Sequence, residues 1–221
     1  MTDQPNPGRY AGTDRPEHWE ELYQQGNTGW DLGGPAPAFI DLLAGPDAPP
    51  PGRMLVLGSG RGHDALLFAA QGFDVRGVDF APSAVAAATE AAAARGLSER
   101  AHFEQRDIFA LPPSYREAFD YVLEHTCFAA IDPRLNEEYA ALVPRLLRPG
   151  GRYLALFFAH GRPGGPPYAT TLDAVRRRFA PRLEILRLET AQHSVPSRAG
   201  RELFAVMRKP PGPIDGPPEV Q

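Results

Sequence analysis

The sequence predicts an α/β protein, a doubly wound and mainly parallel sheet with helices on both faces, and three observations lead there. Met54 to Leu57 is a short apolar run that breaks into Gly58, Gly60 and Gly62, and a helical pattern opens at His63 and Asp64. Such a strand, glycine turn and helix lets backbone approach a ligand closely and presents unpaired N–H groups to it. A second run, Phe73 to Val78, ends in Asp79, about 20 residues beyond the glycines, where a carboxylate meets the diol of a ribose in nucleoside-binding sheets. Beyond it, strand-like runs and helix-length segments continue to alternate to the end of the chain.

With 221 residues and 43% hydrophobic content, the chain fits one domain that buries about 70% of its unfolded surface. A net charge of −4 argues against a broad nucleic-acid-binding face. One cysteine excludes an internal disulfide framework and fits a reducing compartment. The N-terminus has no apolar signal region, and no stretch approaches the roughly 20 apolar residues of a membrane span. The expected protein is cytoplasmic and monomeric, acts on a small molecule, and has no nucleic-acid or membrane partner. Residues 1–14 and 210–221, rich in Pro and Gly, are expected to be disordered tails around a single domain at 15–209.

Pro16 to Gln25 has a helix pattern, with His18, Trp19, Leu22 and Tyr23 on one face and Gly26 as its stop. The loop Asn27 to Pro35 is too rich in Gly and aromatics for a solvated linker, and Pro37 to Leu43 suits a helix. After the glycine turn, Ala65 to Gln71 is helical and Gly72 caps it. Ala81 to Arg95 is an alanine-rich helix that Gly96 ends. Strands follow at 101–105 and 119–123. Asp132 is expected to open a helix that runs past Pro144, which kinks or ends it before Arg148. Pro149-Gly150-Gly151 should turn the chain into an apolar strand at 152–159, followed by a second Gly-Pro loop at 161–168. Leu172 to Phe179 reads as helix, and 183–189 and 203–208 as strands.

Ligands of open α/β sheets lie beyond the carboxyl ends of the strands. That rule collects Gly58 and Gly60, then Asp79, then Asp107 and Ile108, then His125 with Cys127. Asp79 would take ribose hydroxyls; Asp107 would accept from an adenine amino group while Ile108 packs on the ring. The alternatives are a turn cap for Asp107, a satisfied loop histidine for His125, and a small buried residue for Cys127. Trp19, Tyr23 and Trp30 make residues 15–45 a candidate lid over the open edge, and aromatic faces attract a sulfonium. Trp19 packing the first helix onto the sheet is the plain alternative.

The glycine spacing is Gly-x-Gly-x-Gly, and His63 stands where the dinucleotide fingerprint has its third glycine. A bulky residue there crowds a pyrophosphate, but not a cofactor with a ribose and an amino-acid tail. S-adenosylmethionine is such a cofactor, and the segment resembles the glycine motif of class I methyltransferases. A tight turn without ligand is the other reading.

The runs Trp19-x-x-x-Tyr23, Thr28-Gly29-Trp30-Asp31-Leu32-Gly33 and Leu57-Gly58-Ser59-Gly60-Arg61-Gly62-His63-Asp64 resemble the thiopurine S-methyltransferase superfamily. Within it, the thiol and halide methyltransferases are the nearer match, echoed by Thr126 to Pro133 and Gly164 to Tyr168. The resemblance implies a Rossmann-like, seven-stranded class I methyltransferase fold with a C-terminal antiparallel strand and an N-terminal helix–loop lid. It implies S-adenosylmethionine contacts at Trp19, Tyr23, Trp30, Gly58, Asp79, Asp107, Ile108 and His125. Tyr23 stands where the family often has Trp, and His125 where it often has Tyr or Arg.

The expected reaction is methyl transfer to a soft nucleophile: a thiol, hydrosulfide, halide or thiopurine. An acceptor that enters ionised needs alignment and desolvation rather than a base. Tyr168 is the candidate for orienting it, with a loop anchor as the alternative. His125 could instead be the base of an oxygen- or nitrogen-directed methyltransferase, although no carboxylate partner for it is recognisable in the sequence. No metal is expected. A cofactor-binding protein without catalysis and, more remotely, a dehydrogenase complete the range.

Overall fold

The computed structural model describes Thr13 and residues 15–211; most of both expected tails lies outside the described residues. A helix α1 (Pro16–Gln24) and a helix α2 (Pro37–Ala44) precede the sheet. Then β1 (Arg53–Leu57), α3 (His63–Ala70), β2 (Asp74–Asp79), α4 (Pro82–Ala94), β3 (Ala101–Gln105) and β4 (Phe119–His125) alternate. A short α5 (Cys127–Ala130), α6 (Asn136–Leu146), β5 (Leu147–Phe158), α7 (Leu172–Phe179), β6 (Glu184–Thr190) and β7 (Glu202–Arg208) complete the chain.

The seven strands form one sheet in the order β3-β2-β1-β4-β5-β7-β6. The first five are parallel, and β7 runs antiparallel between β5 and β6. The strand order reverses between β1 and β4, the point where open α/β sheets leave a crevice. Alternate residues of β1 explain why it is apolar throughout. Leu55 and Leu57 join a core with Phe128, Tyr139 and Tyr153 on one face, while Met54 and Val56 join Phe39, Phe68 and Phe73 on the other. Aromatic edges lock both layers, Phe68 on Phe73 with centroids 5.1 Å apart and Phe128 on Phe157 at 5.5 Å. Each such pair adds about 0.5–1.5 kcal/mol beyond area burial.

Two glycines of the turn are there for space as well as for dihedral angle. Gly58 has φ +60°, and a Cβ on it would stand 2.9 Å from Cys127 Sγ. Gly62 has φ +78°, and its Cβ would meet the Phe103 ring at 2.9 Å. A side chain at either place would be strained and would collide.

Two differences from the sequence reading have local causes. The stretch from Asp132 is first a 3-10 turn, because the Asp132 carboxylate accepts the Arg134 N–H (2.9 Å); the α-helix starts at Asn136. Pro144 lies inside that helix, which ends at Leu146, before Arg148 as expected; the bond it cannot donate falls in the last turn. Finally, Pro149-Gly150-Gly151 belongs to β5 rather than to a turn before it: Leu147 already pairs with Phe119, and the register shifts before Arg152 pairs with Tyr121. Gly150, at φ +78°, absorbs that bulge.

Candidate active site

A cavity of about 750 Å³ opens over the carboxyl ends of β1, β2 and β4. Trp19, Tyr23, Trp30, Gly58, Gly60, Asp79, Asp107, Ile108 and His125 all line it, as does Cys127. Residues spread over more than a hundred positions thus share one wall, because every parallel strand ends at the same edge.

Asp79 closes β2 with both carboxylate oxygens held by backbone. Gly60 N–H donates to one oxygen at 2.8 Å and Ala81 N–H to the other at 3.0 Å. Burial raises its pKa, and those amides together with that of Phe80 work against the rise. Each oxygen keeps a lone pair toward the cavity, the acceptor pair a vicinal diol requires. Asp107 does cap a turn: its Oδ1 accepts the Phe109 N–H at 2.8 Å, leaving Oδ2 outside that bond. Ile108 beside it is nearly buried.

The aromatic segment sits over this edge as a cluster. The Trp19 and Tyr23 rings each meet Trp30 edge-on at 5.5 Å, and Trp30 Nε1–H donates to the Tyr23 hydroxyl at 3.2 Å. Burial, and then the nearby Asp79 charge, push the Tyr23 phenol well above its usual range, so it stays a neutral hydroxyl. Side chains that the sequence reading did not assign pin the segment down. Asp31 binds Arg61 at 2.7 Å and His63 at 3.0 Å, both from the glycine turn. Glu20 accepts the Ser83 N–H at 2.9 Å and its hydroxyl at the start of α4. His63, chosen for its bulk, therefore also serves as a partner of the lid.

His125 overturns one expectation, for it has a carboxylate partner. Its Nδ1 lies 2.8 Å from Asp64 Oδ2, while Asp64 Oδ1 accepts the Ala36 N–H at 2.7 Å. The pair is 61 residues apart and meets because the first turn of α3 stands beside the carboxyl end of β4. Nε2 faces the Arg198 guanidinium at 3.1 Å, with Glu202 Oε1 at 3.8 Å. Burial disfavours the imidazolium, yet the Asp64 charge and hydrogen bond and Glu202 outweigh it, and the pKa is pushed up to about 9. The Arg198 contact pulls the other way, since an arginine only donates and needs a lone pair on Nε2. Asp64, nearer and anionic, prevails. In the charged state the ring has no lone pair; in the neutral state its free lone pair is spent on Arg198.

Arg198 is the residue that sequence reasoning missed most completely. Only 6% exposed, it donates to the Trp30 carbonyl at 2.6 Å and to Glu202 at 3.3 Å, and stacks over Phe158 at 5.2 Å. It ties the lid loop, the end of β4 and the start of β7 together. Cys127 is packed on Gly58, and burial pushes its thiol well above the usual range. Tyr168 does not line the cavity: it is nearly buried, its N–H donates to the Ala129 carbonyl at 2.7 Å, and Gly165 sits against its ring. No cluster of metal-ligating side chains occurs among the described residues, and no described helix is long and apolar enough to cross a membrane.

The glycine cradle at Gly58 and Gly60, which a Cβ would fill, and the doubly held Asp79 fit a ribose-bearing cofactor. Residues 14–217 match the thiopurine S-methyltransferase family. Thiocyanate methyltransferase 1 of Arabidopsis thaliana is 30% identical over 193 residues, covering 86% of this chain and 84% of that protein. A probable thiol methyltransferase 2 of the same plant is 31% identical at the same coverage. Among solved structures, Burkholderia thailandensis 1,6-didemethyltoxoflavin-N1-methyltransferase, with bound S-adenosylhomocysteine, superposes with a TM-score of 0.73 at 23% identity, covering 95% of this chain and 93% of that one.

Proposed function

The chain belongs to the thiopurine S-methyltransferase family and is an S-adenosylmethionine-dependent methyltransferase, and from that premise we propose that it methylates a small soft nucleophile that enters as an anion: a thiolate, hydrosulfide or halide, with a thiopurine as the bulkier case. The observation that carries this reading is the commitment of both His125 nitrogens, one to Asp64 and the other to Arg198. An acceptor with a proton to lose would need a free base, and the other histidine that lines the cavity, His18, lies on α1 against the Trp19 ring. The relatives point the same way, one being a thiocyanate and one a probable thiol methyltransferase.

The cofactor, when bound, supplies an electrophilic methyl group on a sulfonium. This chain's residues bind, align and dry the site. Asp79 would accept the ribose hydroxyls, Asp107 Oδ2 and Ile108 would hold the adenine, and Gly58 and Gly60 would give the backbone its close approach. Trp19, Tyr23 and Trp30 would cover the sulfonium and exclude water. His125, held rigid, would stand near the sulfonium end. Burial among apolar walls removes water from the entering anion, and alignment of this kind is worth several kcal/mol. Tyr168 enters as the anchor of the Gly-Pro wall, since its ring and amide lock that loop onto Ala129. We read the protein as a monomer of the cytoplasm, where its one half-buried cysteine stays reduced.

The Asp64–His125 pair is the geometry an oxygen- or nitrogen-directed base would use, so the competing reading has an observation behind it. A panel of sulfide, small thiols, iodide, thiopurines and phenols with labelled S-adenosylmethionine decides between them. The expected outcome is label in the sulfur and iodide products; label in phenol ethers alone would reverse the assignment.

A further inference from the structure

Acceptor size and charge leave a mark on the other end of the cavity. In the segment after Cys127, which packs on Gly58, the lining is nearly buried: Ala129 is 2% and Ile131 9% exposed. Outward from there the lining passes to the loop that carries Arg162 and to the turn before β7 that carries Arg198 and Arg201. Most charges along this path are already neutralised. His125 is bound to Asp64, Arg198 to Glu202, and Asp132 to Arg134. Arg162 and Arg201 differ. Both line the cavity, both are exposed, and neither side chain makes an ion pair or hydrogen bond among the described residues.

Their backbones, by contrast, are fixed. The His160 ring closes a turn by accepting the Arg162 N–H at Nδ1, 3.1 Å, while its Nε2 lies 3.1 Å from the Pro167 carbonyl. Arg201 N–H donates to the Arg198 carbonyl at 2.9 Å, and its own carbonyl accepts the Ala159 N–H at 2.6 Å. The last contact extends the β5–β7 ladder, in which Phe158 pairs with Glu202. It sets the two arginines on adjacent segments of one rim. In a chain of net charge −4 this rim is locally cationic.

An exposed guanidinium does little for a charge several ångströms deeper, because water screens it. It acts at contact, where its planar fork matches a carboxylate. The methyl-accepting atom belongs in the enclosed part beside Gly58; a pair of rim arginines addresses a different group. Resting on the thiolate reading above, we infer that the acceptor is a thiol carrying a second, carboxylate-class anionic group, which Arg162 and Arg201 bind while the sulfur is held at the enclosed end.

The test compares 3-mercaptopropionate with its neutral methyl ester as acceptors for the full chain, and repeats the comparison with the Arg162→Gln/Arg201→Gln double variant. Charge-assisted contacts of this kind change affinity by about tenfold to a hundredfold. The wild type is expected to favour the acid by such a factor in kcat/KM once each acceptor is counted by its own thiolate fraction. The double variant should lose at least tenfold more on the acid than on the ester, with less than a twofold change in the calorimetric Kd for S-adenosylmethionine. Equal kcat/KM per thiolate for acid and ester in the wild type would overturn the rim subsite and leave thiol methylation standing. A weakened cofactor Kd in the variant would also overturn it, by assigning the arginines to the cofactor's own carboxylate. Cofactor binding with neither thiol methylated would remove the thiolate reading, and the subsite with it.

Discussion

At Asp79 the fold has placed a carboxylate whose oxygens are oriented by the glycine turn on one side and the start of α4 on the other. Replacing it by Ala removes a charged acceptor from two hydroxyls, a loss of about 1.5–3 kcal/mol. Calorimetry should show S-adenosylmethionine binding weakened by roughly tenfold to a hundredfold; unchanged affinity would take Asp79 out of the ribose site. Glu124, one residue before His125 but on the opposite face of β4, has another fate. Fully buried, it accepts the Phe128 N–H at 3.0 Å, and burial pushes its carboxyl up to about 7 from an ordinary value of 4.5. The folded chain therefore holds a proton that the unfolded chain releases. Its contribution to stability is complete below pH 4.5 and is lost as pH rises through about 7, by up to about 3 kcal/mol. Glu124→Gln keeps the acceptor oxygen and removes the titration. Urea unfolding at pH 5.5 and pH 8 should show the wild type losing about 2 kcal/mol relative to the variant, the rest being already lost by pH 5.5; parallel behaviour would contradict the buried-acid account.

The lid is an element held at three places. Asp31 fastens it to the glycine turn, Glu20 to α4, and Arg198 reaches the Trp30 carbonyl from the turn before β7. Few of its residues are buried, so it opens at a lower free energy than the strands below it. A ligand covered by Trp30 should change tryptophan fluorescence and protect residues 17–34 from hydrogen exchange. Protection restricted to the glycine turn would return Trp19 and Trp30 to packing alone. The element level was also where the sequence was most and least informative. Helices with proline starts and glycine stops, such as α2 and α4, and the apolar strands β1 and β2 were legible from local chemistry. The bulge that joins Pro149 to Gly151 into β5 was not, because a sheet neighbour rather than local preference decides it.

On the scale of the whole molecule, the parallel sheet explains which parts of the site could be read in advance. Residues at strand ends, such as Asp79, Asp107 and His125, followed from topology alone. The clamps did not: Asp64 meets His125 across 61 residues, and Arg198 reaches Trp30 across 168. Such contacts depend on helix placement and on the antiparallel register of β7, neither of which leaves a spacing in the chain. They also bear on the chemistry, for they fix His125 from two sides. The most direct test is the pH dependence of methyl transfer to a series of thiols and to iodide. With an acceptor that enters ionised, the rate should rise along each thiol's own ionisation, iodide should lack that limb, and His125→Asn should keep the shape of both profiles. A common limb at a single pKa for every thiol, abolished in His125→Asn together with about a hundredfold in turnover, would contradict the account and make His125 the base.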